Sequence, residues 1–203
     1  MKNFIESTVI SPRILYYGTP VILLTTLNQD GTTNISPISS SWALGDFIIL
    51  GISTSGKAFE NLQTHPECVI NLPDPSLWRN VENLAPFTGK NPVPDFKKEL
   101  GFSYKKEKYP ASGLTELDSK IAAPSRIMEC PIQIEARVLN IRILDYSPMF
   151  AIIESKALVV HAHTEILKDT NHIDPAKWSP LIYNFRHYFG LGEELGKTFR
   201  SET

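Results

Sequence analysis

The stretch Asp46-Phe47-Ile48-Ile49-Leu50-Gly51-Ile52-Ser53-Thr54-Ser55-Gly56-Lys57-Ala58-Phe59-Glu60-Asn61-Leu62-Gln63-Thr64-His65-Pro66-Glu67-Cys68-Val69-Ile70-Asn71-Leu72 decides the fold. Its first eight residues form a β-branched apolar run too short for a buried helix, which predicts a strand apolar enough to be covered on both faces. Lys57 to Thr64 places Phe59 and Leu62 three apart on one side, the spacing of a short helix, and His65-Pro66 stops it because proline disfavours helical geometry in its predecessor. Glu67 to Leu72 then resumes as a strand. Gly51 to Lys57 also spells a nucleotide-binding P-loop up to its last position, where Ala58 stands in place of the Mg²⁺-binding Ser or Thr. A two-turn helix without βαβ repetition does not build the sheet such a loop requires. The segment therefore reads as strand, short helix, strand, in a sheet of another kind.

The flanks point the same way. Pro20 to Leu27 is apolar and β-branched, Asn28-Gln29-Asp30-Gly31 supplies a turn, and Thr32 to Ser36 is extended again, which makes a hairpin. Residues 73–126 change character. Pro73, Pro75, Pro86, Pro92, Pro94, Pro110 and Pro124 punctuate helical pieces at Leu77 to Leu84 and Asp95 to Leu100. This predicts an excursion from the sheet rather than a second core, suited to a lid or wall. Strands return at Ile132 to Ile143, Met149 to Ser155 and Ala157 to Thr164. About seven strands with hairpin links describe a mainly β, closed antiparallel barrel, since parallel sheets need a crossover helix after nearly every strand.

A chain of 203 residues with 42% hydrophobic and 21% charged residues suits one domain over 1–203 with a real core. Lys plus Arg number 20 and Asp plus Glu 22, a formal charge of −2, so no positive field exists to condense on nucleic acid. Apolar runs fall far short of the roughly 18 residues that span a bilayer. Met1 to Ser7 lacks the apolar core of a secretory signal, so the expected location is the cytoplasm, away from membranes. Cys68 and Cys130, 62 positions apart in strand-like contexts, read as two buried thiols.

Chemistry concentrates at Ser53-Thr54-Ser55-Gly56-Lys57. Three hydroxyls, free N–H groups at a helix start, a glycine and a first-turn lysine make a cradle for one terminal phosphate. The alternative is that Ser55 or Thr54 merely caps the helix. Upstream, Asn34-Ile35-Ser36-Pro37-Ile38-Ser39-Ser40-Ser41-Trp42 lines up donors and acceptors that could read the edge of a flat heteroaromatic, or form a solvated loop. His161 and His163 stand two apart on a strand without a third metal ligand, so no metal site is expected. The aromatic, basic segment Ser179 to Gly192 suits a ligand surface or a core-covering tail equally. There is no Gly-x-Ser-x-Gly elbow, no His-Glu-x-x-His helix and no paired carboxylate spacing, which points to chemistry borrowed from a cofactor.

Taken together, several of these segments resemble the flavin reductase-like family of FMN-binding split-barrel proteins. The matching stretches are Asn34-x-Ser36-Pro37-x-Ser39-x-x-Trp42, Ser53 with Lys57-x-x-x-Asn61, and Cys68-Val69-Ile70-Asn71-Leu72. Thr88-Gly89-Lys90, Gly101-Phe102, Lys108, Gly113-Leu114, Glu129-Cys130-Pro131-Ile132-x-x-Glu135, Asp174-Pro175-Ala176-Lys177 and Pro180-Leu181-Ile182-Tyr183 follow in order. The resemblance implies a six-stranded Greek-key split barrel that forms a homodimer, with a flavin at each of two subunit-interface sites. It implies that Asn34, Ser39, Ser40, Ser41 and Trp42 line the isoalloxazine and ribityl chain, although many members carry another aromatic where Trp42 stands. Ser53, Thr54, Ser55 and Lys57 would take the phosphate, Asn61 of the same motif is a further cofactor-binding candidate, and Arg186, His187 and Tyr188 would lie near flavin or nicotinamide. The implied activity is an NAD(P)H-dependent flavin reductase that transfers hydride to FMN. The alternatives are an FMN-binding or storage protein without turnover, and a split-barrel relative acting on pyridoxamine phosphate or haem.

Overall fold

The computed structural model describes residues 5–198, so Met1 to Phe4 of the N-terminal stretch discussed above lie outside the described residues. The chain begins with β1 (Tyr17–Pro20), β2 (Ile22–Leu27), β3 (Thr33–Ile38), β4 (Ser41–Leu44) and β5 (Phe47–Ser53). Helix α1 (Lys57–Thr64) and β6 (Glu67–Leu72) follow. The proline-punctuated segment carries α2 (Trp78–Leu84), β7 (Phe87–Thr88), α3 (Asp95–Glu99), β8 (Ser103–Tyr104), α4 (Lys108–Ser112), β9 (Glu116–Leu117) and β10 (Arg126–Ile127). Two long strands, β11 (Ile132–Leu144) and β12 (Ser147–Ala162), and the small hairpin β13 (Ile182–Asn184) and β14 (His187–Phe189) complete it.

The main sheet runs in the order β3-β2-β6-β11-β12-β5-β4, antiparallel throughout. Its two edge strands, β3 and β4, are separated in sequence by Ser39 and Ser40 alone. The sheet must therefore curl until its edges approach, and the Gly51 N–H donates to Ser40 O at 2.7 Å, carrying the β4–β5 ladder into that link. With β3 and β4 taken as one bent strand, six strands form an antiparallel half-barrel, the split-barrel architecture expected from the sequence.

Two apolar cores result. Inside the curl, Ile22, Leu24, Leu50, Ile52, Ile70 and Ile153 pack against Ala58, Phe59 and Leu62 of α1. Asn61 fixes that helix by donating to Thr26 Oγ1 at 3.1 Å and Asn28 Oδ1 at 3.0 Å. Outside the curl, Val21, Leu23 and Ile35 pack against Val81, Leu84, Tyr109, Leu114 and Ile127. The expectation for 73–126 is thus corrected: the segment builds a second core, because β2 is apolar on both faces and its outer face needs cover. Asn71, fully buried, ties the layers together by donating to Leu23 O at 2.9 Å and accepting from Ile127 N at 2.9 Å.

Two further differences have simple causes. Strand β4 was not foreseen. It pairs with β5 through a tight hairpin at Gly45-Asp46, where Gly45 takes φ +62. Met149–Ser155 and Ala157–Thr164 are not two strands, since β12 runs unbroken to Ala162. Bulges leave Leu158 and Leu139 without a direct partner, and a bulge interrupts the alternation by which strands are counted.

Glu135 of β11 is fully buried and accepts from the N–H groups of Lys120 and Ile121 at 2.7 Å and Ala122 at 2.8 Å, and from His161 Nε2 at 2.6 Å. Burial pushes this carboxyl up, but the N–H groups of Lys120 and Ala122, the His161 ring and the Ile121 N–H outweigh it, bringing it down to about 2. His163 Nε2 donates to Met128 O at 2.9 Å, so both strand histidines hold structure together. Among the described residues no group of three His, Cys, Asp or Glu side chains could hold a metal ion. Because the folded-state value lies below the unfolded one of 4.5, the Glu135 contribution is complete above about pH 4.5 and fades as pH falls toward about 2. Glu135→Gln should cost about 3 kcal/mol in urea denaturation at pH 7, and should flatten the loss of stability that the wild type shows over that acid range.

Candidate functional site

Where β5 ends, the chain turns through Ser53 to Gly56 into α1. Ser53 Oγ and Ser55 Oγ lie 2.8 Å apart, and the Gly56 N–H donates to Ser53 O at 3.0 Å. Gly56 is the N-cap of α1, and no side chain caps it. Neither Ser55 nor Thr54 takes the capping role, since Thr54 Oγ1 donates to Pro148 O at 2.9 Å. The first-turn N–H groups of α1 are left for a ligand.

This turn borders a cavity of about 320 Å³ lined by Ser53, Gly56, Lys57 and Thr88 together with Lys97 and Lys108 from the proline-punctuated segment. Lys57 Nζ reaches Glu60 Oε1 at 2.5 Å and Lys90 Nζ reaches Glu60 Oε2 at 2.7 Å, which holds the Glu60 carboxyl below its usual value. Lys97 donates to Ser55 O at 3.2 Å, and Lys108 lies 5.8 Å from the Phe87 ring centroid. Among the described residues neither is in an ion pair. Lys108 is only 2% exposed; burial and the neighbouring Lys97 bring it down to about 8. Burial and then Lys90 push Lys97 down as well. A buried ammonium without a carboxylate is costly, so Lys97 and Lys108, beside Lys57 and without a carboxylate of their own, mark a place where a multiply charged anion would supply the missing charge. Gly89 completes the wall: a Cβ there would lie 2.5 Å from Asn34 Oδ1 and 3.0 Å from Lys57 Cγ, displacing the lysine.

The cavity shares Pro37, Ile38, Ile52 and Ser53 with a second one of about 510 Å³, so the two form one cleft. Ser39, Ser40 and Gly51 line its polar side, and Tyr16, Phe150, Tyr183 and Tyr188 its aromatic side. Tyr16 and Tyr183 meet edge to face at 5.5 Å, and Ser40 Oγ donates to Tyr16 Oη at 3.3 Å. A cationic end therefore opens directly onto a flat, apolar and aromatic end.

The structure thus gathers Ser39, Ser40, Ser53, Lys57 and Tyr188 at the cleft, with the Ser55 hydroxyl against Ser53. It does not bring the rest of the expected set there. Asn34 is buried behind Lys57, donating to Ser36 Oγ at 3.0 Å, and Asn61 anchors α1. Ser41 and Trp42 sit on β4, where Trp42 faces outward opposite Ile49 and is 59% exposed. Arg186 and His187 border a neighbouring groove. As cleft residues Lys97 and Lys108 were missed, Lys108 standing only among the positions that match the family, although Lys90, Lys97, Lys98, Lys105, Lys106 and Lys108 crowd into 19 residues of a chain whose net charge is −2.

Comparison with known proteins bears on the family and the fold. A profile described as Flavin reductase like domain matches residues 14–192. The uncharacterized protein YdfE of Bacillus subtilis (strain 168) is 64% identical over 194 residues, covering 96% of this chain and 94% of that protein. Flavoredoxin of Desulfovibrio vulgaris (Miyazaki F) superposes with a TM-score of 0.78 at 19% identity, covering 97% of this chain and 99% of that one. Flavoredoxin from Methanosarcina acetivorans gives 0.77 at 15% identity, with 97% of each chain covered.

Lys108→Met should separate the binding role from a structural one. It removes a charge whose penalty is complete below about pH 8 and fades toward the ordinary 10.5, so the ligand-free variant should gain about 1 to 3 kcal/mol in denaturant melts at pH 7. The wild type's affinity for a phosphate monoester, followed by titration calorimetry, should fall as pH rises past about 8, and the variant should bind weakly without that dependence.

Proposed function

Because the chain belongs to the flavin reductase-like family, we propose that it is an NAD(P)H-dependent flavin reductase using FMN. The observation that carries this reading is the single cleft, cationic at the α1 end and aromatic at the other, with Lys108 buried without an ion pair at the cationic end. Lys57, Lys97, Lys108 and the first-turn N–H groups of α1 are the groups that would hold a flavin phosphate. Ser39 and Ser40 offer hydroxyls to the polar edge of the rings, and Tyr16, Phe150, Tyr183 and Tyr188 offer flat apolar surface that excludes water. When bound, the flavin supplies the redox chemistry, accepting hydride from the reduced nicotinamide and passing electrons onward. The protein's part is to hold two rings together and to neutralise the phosphate, which needs no side-chain nucleophile.

The assembly that fits this reading is a homodimer. Trp42, Leu44, Phe47 and Phe150 share the outer face of β4, β5 and β12, all at least 46% exposed, and that apolar face runs into the cleft at Phe150. A second copy seated on it would cover the face and close the open side of the site. Sedimentation at micromolar concentration should give twice the chain mass, and Leu44→Asp, at a position 72% exposed, should shift the protein to monomer while leaving each chain folded.

Ligand-free protein mixed with micromolar FMN should turn yellow, melt at higher temperature and oxidise NADH or NADPH with turnover. Lys57→Ala should weaken FMN binding by about 1.5 to 3 kcal/mol, the range for a charge-assisted hydrogen bond. A flavin spectrum without turnover would leave a binding protein, and no flavin uptake at all would overturn the reading.

A further inference from the structure

Three lysines line the 320 Å³ cavity at the cationic end of the cleft, Lys57 from α1, Lys97 from α3 and Lys108 from α4, and no carboxylate lines it with them. Their amino groups are not equivalent. Lys57 Nζ is held by Glu60 Oε1 at 2.5 Å, and Lys97 Nζ donates to Ser55 O at 3.2 Å. Among the described residues no hydrogen bond or ion pair engages Lys108 Nζ, although that side chain is only 2% exposed. What surrounds it is apolar or cationic. The Phe87 ring centroid lies 5.8 Å from Nζ, Leu84 and Phe102 line the same walls, and Lys57 and Lys97 are the charged groups that line the cavity with it. Loss of water around an ammonium and a second cation beside it are the two conditions that turn a lysine from a point charge into a nucleophile. Both act on Lys108, which burial and then Lys97 bring down to about 8, so about half of the amine carries a free lone pair at that pH. An exposed lysine, near about 10.4, offers well under about one part in a hundred there.

We propose that Lys108 is a covalent site for aldehydes that bear a phosphate monoester, which it holds as an imine in the cationic end of the cleft. The cavity selects for both groups. Ser53, Lys57, Lys97 and the first-turn N–H groups of α1 suit a phosphate, and a small molecule anchored there places its other atoms in the space that Lys108 lines or toward the aromatic end. The lone pair of the neutral Nζ forms the new C–N bond at the aldehyde carbon. The carbonyl oxygen leaves as water with both amine hydrogens, and C=N replaces C=O. Nothing is oxidised or reduced, no further reactant is needed, and water reverses the step. Such an imine fills the place of a flavin phosphate, so a phosphorylated aldehyde is a reversible competitor of flavin. The proposal rests on the reading of this end of the cleft as a phosphate site.

In the test, ligand-free protein is incubated with glyceraldehyde 3-phosphate or with glyceraldehyde, the imine is trapped with cyanoborohydride, and the modified lysine is located by peptide mass spectrometry. The expected result is one adduct per chain, at Lys108, formed about tenfold or more faster with the phosphate-bearing aldehyde, the factor expected for one charge-assisted contact. Its rate should rise with pH and level off above about pH 8, and excess inorganic phosphate should suppress it. Lys108→Arg, which keeps the charge, and Lys108→Met, each checked for a cooperative melt, should lose this adduct while labelling of exposed lysines stays as in the wild type. Labelling at Lys57 or Lys97 instead, labelling spread over exposed lysines, or equal rates for the two aldehydes would overturn the proposal. FMN separates it from the flavin reading. Protection of Lys108 by FMN supports both, and a phosphate-sensitive Lys108 adduct in protein that takes up no FMN supports the covalent site while the flavin reading fails. Uptake of FMN by protein that forms no Lys108 adduct overturns the covalent site alone.

Discussion

Burial of β2 on both faces is the constraint from which the rest of this structure follows. Ile22 and Leu24 point into the curl of the sheet, and Val21 and Leu23 point away from it. One layer cannot satisfy both sets, so the chain needs the strands and α1 on one side and the proline-punctuated segment on the other. Once that segment packs through Val81, Leu84, Tyr109 and Ile127, its loops are held against the mouth of the curl. Lys97 and Lys108 reach the cleft for this reason. Strand β5 is the counterpart. Ile48, Leu50 and Ile52 face the core, while Phe47 and Ile49 on the other face meet no such cover within one chain.

The cleft inherits its polarity from these two facts. Its cationic end is where an uncapped helix start meets lysines carried in from the second layer, and its aromatic end is where the uncovered faces of β5 and β12 meet the tyrosines of the terminal hairpin. Lys108, buried and without an ion pair among the described residues, costs the free protein stability. On the proposed reading an anion offsets that cost, a trade commonly made at binding sites.

Much of this was legible in the sequence, for identifiable reasons. The hairpin of β2 and β3, the helix Lys57–Thr64 and the strand Glu67–Leu72 each carry an uninterrupted period and a stop signal. Strand β4 was hidden because four residues opening on serine carry too little pattern. Strand β12 was divided because Leu158 at a bulge breaks the alternation. The second core was invisible because its residues are scattered over short elements without a period, and with it went Lys97 and Lys108. Asn34 and Trp42 belong to a stretch whose order marks the family, yet strand alternation turns Trp42 outward and packs Asn34 behind Lys57. Membership in a family was easier to read than the direction of a side chain.

The order of strands also has a consequence for synthesis on the ribosome. Strand β5, complete at Ser53, pairs on its inner side with β12, where Ser53 meets Phe150 and Ile49 meets Glu154. About 100 residues must therefore emerge before the first of those partners exists, which at about 5–20 residues per second leaves a nascent apolar strand waiting on the order of ten seconds. The long hairpin of β11 and β12 is local and forms quickly, but it arrives after every other strand of the main sheet. Until then β4 is the one strand of the main sheet hydrogen-bonded to β5, whose other edge stays open, and α1 is the nearest apolar cover for its inner face.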